Sequence, residues 1–224
     1  MTGKPALDLS LYLVAGSDAV GGRRLEDVVA AAVRGGVTLV QLREKTLPDV
    51  EVVELARALK GLLGPAGVPL IINDRAEVAR AAGADGVHLG QGDLDAGRAR
   101  EILGPGALIG VSAGTRAEAG RVDKALADYV GVGPVYATPT KPDVGPPIGI
   151  AGLTSVLAAL APLPVVAIGG IGAQNAAEVM ASGAADGIAV VSAICGADDP
   201  QAAARALRRE IAAGRACLAA AVPS

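Results

Sequence analysis

Gly183-Ala184-Ala185-Asp186-Gly187-Ile188-Ala189-Val190-Val191 holds a helix end, a turn and an apolar run, and the same turn stands earlier as Gly83-Ala84-Asp85-Gly86 before Val87-His88-Leu89. Glycine closes a helix in the left-handed conformation at least cost, and the apolar run behind each turn has the length of a buried strand. The recurrence hints at a chain assembled from like units. On either side of these turns, short apolar runs alternate with longer Ala-rich, charge-flanked segments, the order expected of a parallel sheet with crossover helices. The predicted strands are Leu11–Ala15, Thr38–Arg43, Leu70–Asn73, Gly86–Leu89, Leu108–Ser112, Tyr129–Gly133, Val165–Gly169 and Gly187–Val191. The clearest helices are Leu25–Arg34, Val50–Leu63, Ala96–Leu103, Leu153–Leu160, Asn175–Ser182 and Pro200–Ala212, with Gly35, Gly83, Gly104 and Gly183 as left-handed caps. An open doubly wound sheet gives a similar alternation. Eight units within 224 residues and no long linker favour closure into an α/β, single (β/α)8 TIM barrel. One domain over 1–224 is expected, with the barrel proper at about 11–213 and short tails. Closure also places the site at the C-terminal ends of the strands.

Composition narrows the function. The chain is 51% hydrophobic without Phe or Trp, which predicts an interior of Val, Ile, Leu and Ala. A net charge of -3 and only three tyrosines provide neither the basic surface nor the stacking platforms of a nucleic-acid binder. Runs such as 163–168 and 188–194 fall short of the ~20 apolar residues that span a bilayer. Residues 1–10 lack a basic stretch followed by a long apolar core, so no secretory signal is predicted and the cytoplasm is the expected compartment. Cys195 and Cys217 form no spacing pattern and are expected as free thiols. Small phosphorylated molecules are the expected partners, and a homo-oligomer is left open.

Gln41-Leu42-Arg43-Glu44-Lys45 ends the second strand, and a period of two puts Gln41, Arg43 and Lys45 on one side and Leu42 on the other. If the polar side faces inward, two cations and an amide enter the barrel mouth, where burial is costly unless an anion meets them; the bland alternative is a solvated strand end. The third strand ends at Asn73-Asp74, and the fourth leads into Gly90-Gln91-Gly92-Asp93, setting two carboxylates on neighbouring strand ends. Oxygen ligands of this kind suit Mg²⁺. One carboxylate could instead cap a helix, but Asp95, just before Ala96, is the better cap and leaves Asp93 for a metal.

Beyond the sixth strand, Tyr136-Ala137-Thr138-Pro139-Thr140-Lys141-Pro142 offers hydroxyls, N–H groups and an ammonium to a phosphate, and it runs on to Gly149, long enough to be a binding wall, a lid or a plain surface turn. Ile168-Gly169-Gly170-Ile171 and Val190-Val191-Ser192 close the last two strands, where barrels commonly bind phosphate through backbone amides; the glycines could equally serve tight turns. Gly110-Val111-Ser112-Ala113-Gly114 matches a hydrolase nucleophile elbow, but the sole histidine, His88, precedes Ser112, against the hydrolase order. Two cysteines and one histidine cannot form a usual zinc site. His88 is expected to be a packed, hydrogen-bonded core residue.

Together, residues 41–45, 73–74, 86–93, 110–112, 129–135, 138–141 and 168–171 resemble the thiamine phosphate synthase family, in order and spacing from about Leu11 to Ala213. The resemblance implies a transferase of thiamine biosynthesis that joins 4-amino-2-methyl-5-hydroxymethylpyrimidine diphosphate to a thiazole phosphate and releases pyrophosphate. It implies that Gln41, Arg43, Lys45, Asn73, Ser112 and Lys141 contact the pyrimidine diphosphate, that Asp74 and Asp93 hold Mg²⁺, and that Thr138, Thr140, Gly170, Val191 and Ser192 bind the thiazole phosphate. Arg43, Lys45 and Lys141, with the Mg²⁺, would stabilise the leaving group as the C–O bond breaks, and Ser112 would stand beside them. A thiazole tautomerase-like isomerase, which needs no diphosphate clamp, and a non-catalytic phosphate-binding barrel are the alternatives.

Overall fold

A computed structural model describes residues 4–140 and 145–221. Eight parallel strands close into a barrel in chain order, β1 (Leu11–Ala15), β2 (Leu39–Leu42), β3 (Leu70–Asn73), β4 (Gly86–Leu89), β5 (Leu108–Ala113), β6 (Tyr129–Val132), β7 (Val165–Ile168) and β8 (Gly187–Val190), with β8 pairing back onto β1. The expected (β/α)8 barrel is thus the fold. Strands β2, β6, β7 and β8 each stop one residue before the expected end, because the chain turns there; Gly169, for example, has φ 101°.

Helices α1 (Leu25–Arg34), α2 (Asp49–Leu63), α3 (Ala76–Ala82), α4 (Ala96–Leu103), α5 (Arg116–Ala119), α6 (Gly149–Leu160), α7 (Ala176–Ala181), α8 (Ser192–Cys195) and α9 (Pro200–Ala221) surround the sheet. The buried positions of α1, Leu25, Val28, Val29 and Ala32, show the spacing that makes one apolar stripe. Helix α6 starts four residues before the predicted Leu153, because the N–H groups of Ile148 and Gly149 donate to the Pro134 and Val135 carbonyls and anchor the incoming chain. Helix α9 runs past the predicted Ala212: a Cβ on Gly214 would lie 2.4 Å from the Ala177 carbonyl oxygen, so this glycine permits close packing on α7 instead of ending the helix. Gly83 is the expected left-handed cap at φ 66° and ψ 31°. Gly35 is not: it stays right-handed at φ -81°, and a Cβ there would lie 2.5 Å from Ala204 of α9.

Strand alternation divides the core. Outward residues such as Leu13, Val40, Leu42, Ile72, Val132 and Ala167 meet the helices, in the aliphatic packing expected. Inside the barrel the expectation is corrected: besides Leu39, Ile71, Leu108 and Val166, the interior holds Tyr12 and Tyr129. Their rings pack edge to face with centroids 5.9 Å apart. Room comes from Gly110, where a Cβ would lie 2.1 Å from the Tyr129 ring.

The hinted repeat is a hydrogen-bonded clasp. The residue before each even-numbered strand gives its N–H to the carbonyl of a residue at the start of the preceding odd strand, in the pairs Thr38→Leu11, Asp85→Leu70, Asp128→Ile109 and Asp186→Val165. The side chain of the same residue accepts the partner's N–H in return, at 3.1 Å for Thr38 and 2.8 Å for the three aspartates. The clasp recurs every second βα unit and closes the barrel floor, opposite the strand ends that form the mouth.

Candidate active site at the barrel mouth

Three adjoining cavities open at the C-terminal ends of the strands. The central one, about 160 Å³, is lined by Gln41, Arg43, Asn73, His88, Ser112 and Thr138, among others. A second, about 320 Å³, shares Arg43 with it and adds Gly16, Asp18, Thr140, Val191 and Ser192. The third, about 260 Å³, gathers Thr138, Thr140, Gly170, Val191 and Ser192. The five residues predicted for one phosphate therefore line one cavity, and Gln41, Arg43, Asn73 and Ser112 line its neighbour. Lys141 lies outside the described residues, as does part of the stretch from Thr138 to Gly149.

The inward expectation for β2 holds: Leu42 is buried against the helices, while Gln41 and Arg43 line the central cavity. The Arg43 N–H is fixed by the Ala15 carbonyl at 2.8 Å. Among the described residues no hydrogen bond or ion pair engages its guanidinium, and Arg43 lines both the central and the second cavity. Glu44, unremarked in the sequence, is buried on the opposite side and accepts from the N–H and the Oγ of Ser17, both at 2.7 Å. It ties the turn after β1 to β2 and so sets one wall of the second cavity.

On the rim the Lys45 ammonium lies 2.5 Å from Asp74 Oδ2. Asp74 also interacts with the neighbouring Asp93 and Asn73 side chains. Burial pushes the Asp74 carboxyl up, but the interactions with Asp93, Lys45 and Asn73 and the Lys45 charge outweigh it, so Asp74 lies below its ordinary value. Asp93 is raised, by burial first and then by the interaction with Asp74 and its charge. Asp74 adopts φ 63°, the positive-φ non-glycine residue among those described, with its N–H bound to the His88 carbonyl at 2.8 Å. Strain of this kind, typically ~1–3 kcal/mol, persists where the surroundings impose it. Asp95 caps α4 as expected, accepting from the Arg98 N–H at 2.9 Å.

Asp74 and Asp93 stand close enough to shift each other's carboxyl, and two neighbouring carboxylates are chemically suitable oxygen donors for Mg²⁺, although among the described residues no group of three or more His, Cys, Asp or Glu side chains gathers as a metal site. A hard divalent cation that also takes substrate and water oxygens matches such a pair.

At the third cavity, Gly170 has φ 64°, and a Cβ there would lie 2.5 Å from the Ala137 carbonyl oxygen. Gly170 thus has a packing role besides any ligand role: it lets the Thr138–Thr140 stretch lie against the end of β7. Ser192 starts the short helix α8, which the sequence reading took as the end of a strand.

His88 is hydrogen-bonded as expected. Its Nε2 lies 3.0 Å from Ser112 Oγ and its Nδ1 3.1 Å from the Tyr129 hydroxyl. The dismissed Ser–His pairing is therefore present, but Ser112 sits within β5, not on an elbow, and a phenol stands where a hydrolase needs a carboxylate. Tyr12 and His88 line the central cavity, and sequence reasoning assigned neither to it. Strand parity was the available signal, because Tyr12 shares the inward face with Val14, which pairs with Gln41.

A closed barrel whose mouth joins a guanidinium unengaged among the described residues, neighbouring carboxylates and a hydroxyl-lined cavity has the groups of a barrel enzyme suited to phosphorylated small molecules. The family model for thiamine monophosphate synthase matches residues 11–194. The thiamine-phosphate synthase of Albidiferax ferrireducens is 54% identical over 203 residues, covering 91% of this chain and 92% of that protein. That of Moorella thermoacetica is 49% identical over 205 residues, covering 92% and 97%. The solved structure of a thiamine phosphate pyrophosphorylase from Pyrococcus furiosus superposes with a TM-score of 0.83 at 36% identity, over 93% of this chain and 98% of that one. The chain belongs to the thiamine monophosphate synthase family, and it is a transferase of thiamine biosynthesis. No described helix is long and apolar enough to cross a membrane.

Proposed function

We propose that this chain joins 4-amino-2-methyl-5-hydroxymethylpyrimidine diphosphate to a thiazole phosphate, giving thiamine phosphate and pyrophosphate. One observation carries the reading: three cavities adjoin at the mouth, the central one sharing Arg43, unengaged among the described residues, with the second and Thr138 with the third. Gln41, Asn73 and Ser112 orient the pyrimidine, and Arg43 and Lys45 hold its diphosphate. Lys141 is assigned to the same diphosphate on sequence grounds. Thr138, Thr140, Gly170, Val191 and Ser192 hold the thiazole phosphate so that its ring nitrogen faces the central cavity.

The bond between the exocyclic carbon and the diphosphate oxygen breaks first, and the electron pair leaves with pyrophosphate. The positive charge left on carbon is shared with the electron-rich aminopyrimidine, and the thiazole nitrogen lone pair then forms the new C–N bond. No proton moves to or from the protein in either step. Arg43 and Lys45 therefore act by stabilising the charge that develops on the leaving group. Asp74 and Asp93 would hold Mg²⁺, which supplies further positive charge to the diphosphate when bound.

The test is pyrophosphate release on mixing the pure protein with both substrates, with and without Mg²⁺. Release that needs both substrates and the metal is expected. Absence of release, with metal-independent proton exchange in the thiazole phosphate, would assign an isomerase; binding of either compound without any turnover would assign a non-catalytic barrel.

A further inference from the structure

Five polar side chains form one continuous hydrogen-bonded chain through the barrel interior. Gln41 Nε2 donates to the Tyr12 hydroxyl at 2.6 Å, and Tyr12 and Tyr129 share a bond of 2.9 Å between their hydroxyls. Tyr129 meets His88 Nδ1 at 3.1 Å, and His88 Nε2 meets Ser112 Oγ at 3.0 Å. The members come from β2, β1, β6, β4 and β5, so the chain crosses the barrel and both of its ends line the central cavity. Tyr12 and Tyr129 are fully buried, and burial holds both phenols protonated well above their ordinary value.

With the Gln41 nitrogen as the donor to Tyr12, one direction of the bonds gives every buried hydroxyl proton an acceptor. An amide nitrogen only donates, so the Tyr12 oxygen accepts from Gln41 and passes its own proton toward Tyr129. In that direction Tyr129 gives its proton to His88 Nδ1. An accepting Nδ1 places the ring proton on Nε2, which donates to Ser112 Oγ. Two groups are left over at the ends: the Gln41 Oε1 acceptor, which no hydrogen bond among the described residues engages, and the Ser112 hydroxyl proton. Gly110 and Gly131 keep the interior open for this chain; a Cβ would lie 2.5 Å from His88 Nδ1 at the first and 3.1 Å from His88 Cε1 at the second.

We propose that Tyr12, Tyr129 and His88 are positioning residues that fix an acceptor at Gln41 and a donor at Ser112, so that the site selects a heteroaromatic ring carrying an amino group over its oxo counterpart. The idea rests on the pyrimidine diphosphate reading for its substrate, while the chain itself is a property of the protein alone. An amino group donates to the fixed Gln41 oxygen and a ring nitrogen accepts from Ser112. In the oxo compound both roles reverse, leaving like polar groups opposed. Without the Tyr12 hydroxyl the Gln41 amide is free to turn over and accept either ring.

Two measurements test this. His88 is the only histidine in the chain, so ¹⁵N-histidine labelling gives its ring nitrogens without further assignment. The wild type is expected as the Nε2–H tautomer, and Tyr129→Phe, which deletes one oxygen and keeps the ring, is expected to shift that tautomer. A wild-type Nδ1–H tautomer, or identical spectra in a folded Tyr129→Phe protein, overturns the relay whatever the substrate is. The second measurement is kcat/KM for the 4-amino and 4-oxo pyrimidine diphosphates at saturating thiazole phosphate. The wild-type preference for the amino compound is expected to shrink about tenfold in Tyr12→Phe and in Tyr129→Phe, with the KM for thiazole phosphate unchanged. An unchanged ratio in an active enzyme overturns the inference alone. A wild type inert toward both pyrimidines overturns the proposed reaction, and the tautomer result then decides the relay.

Discussion

Asp128 holds Ile109 by two opposed hydrogen bonds: its N–H donates to the Ile109 carbonyl at 2.7 Å, and its carboxylate accepts the Ile109 N–H at 2.8 Å. The carboxylate is also paired with Arg100 at 3.0 Å and with Lys4, and its side chain is 15% exposed. Asp128→Ala leaves a partly buried strand-end N–H without its acceptor, so a loss of about 1.5–3 kcal/mol is expected. Asp128→Asn keeps an acceptor and should lose less. Urea unfolding of both variants checks this, and an unchanged midpoint in Asp128→Ala would mean that the clasp adds nothing to stability.

The same clasp shows what was legible in the sequence. The aspartates of Gly83-Ala-Asp-Gly86 and Gly183-Ala-Ala-Asp-Gly187 advertise it, because there the turn before the strand has the same composition. Thr38 and Asp128 make it within different phrases, and pairing geometry alone relates them to the others. The eight strands were legible for a similar reason, since each is a continuous apolar run between turns. Gln41 and Arg43 were placed by parity along one strand. The room for Tyr129 was not: it comes from Gly110 on another strand, and contacts across a barrel leave no pattern along the chain, whereas parity with Val14 could have placed Tyr12 on the inner face. The Asp74–Asp93 contact was anticipated from neighbouring strand ends, but the Lys45 ion pair that accompanies it depends on how far a side chain reaches.

Arg43 lines both the central and the second cavity with its guanidinium unengaged among the described residues. On the proposed reaction, Arg43→Ala removes at least one charged hydrogen bond from the leaving diphosphate, worth about 1.5–3 kcal/mol, so turnover should fall roughly ten- to a hundredfold or more. The fold should be kept, because the backbone N–H to Ala15 remains. Steady-state pyrophosphate release checks this, and near-wild-type kcat would remove Arg43 from the clamp.

Gly170→Ala joins two penalties. The residue sits at φ 64°, and the new Cβ would stand 2.5 Å from the Ala137 oxygen and 2.8 Å from Tyr136 Cβ. Backbone strain costs about 1–3 kcal/mol, and the clash pushes away the stretch bearing Thr138 and Thr140. The KM for thiazole phosphate should rise several-fold more than that for the pyrimidine diphosphate, whose proposed contacts at Gln41 and Asn73 lie on other strands. Equal changes in the two KM values would count against a separate thiazole-phosphate cavity.

Cys195 is fully buried beneath the barrel mouth, and burial pushes its thiol from 9.0 up to about 12. At neutral pH the exposed Cys217 should therefore react with a disulfide reagent at once, and Cys195 only after unfolding. The raised value also fixes a pH dependence. The folded chain holds this proton more tightly than the unfolded chain, so the stabilisation is complete below about pH 9 and is lost as pH rises toward about 12. Tyr12 and Tyr129 are raised by burial as well and steepen the decline above their ordinary value of 10.0. Cys195→Ala opens a small void and should be less stable at pH 8, yet its urea midpoint should fall less than the wild-type midpoint between pH 8 and pH 10.5, an interval that begins the predicted window. Parallel losses in the two proteins over that interval would show that Cys195 does not carry the linkage.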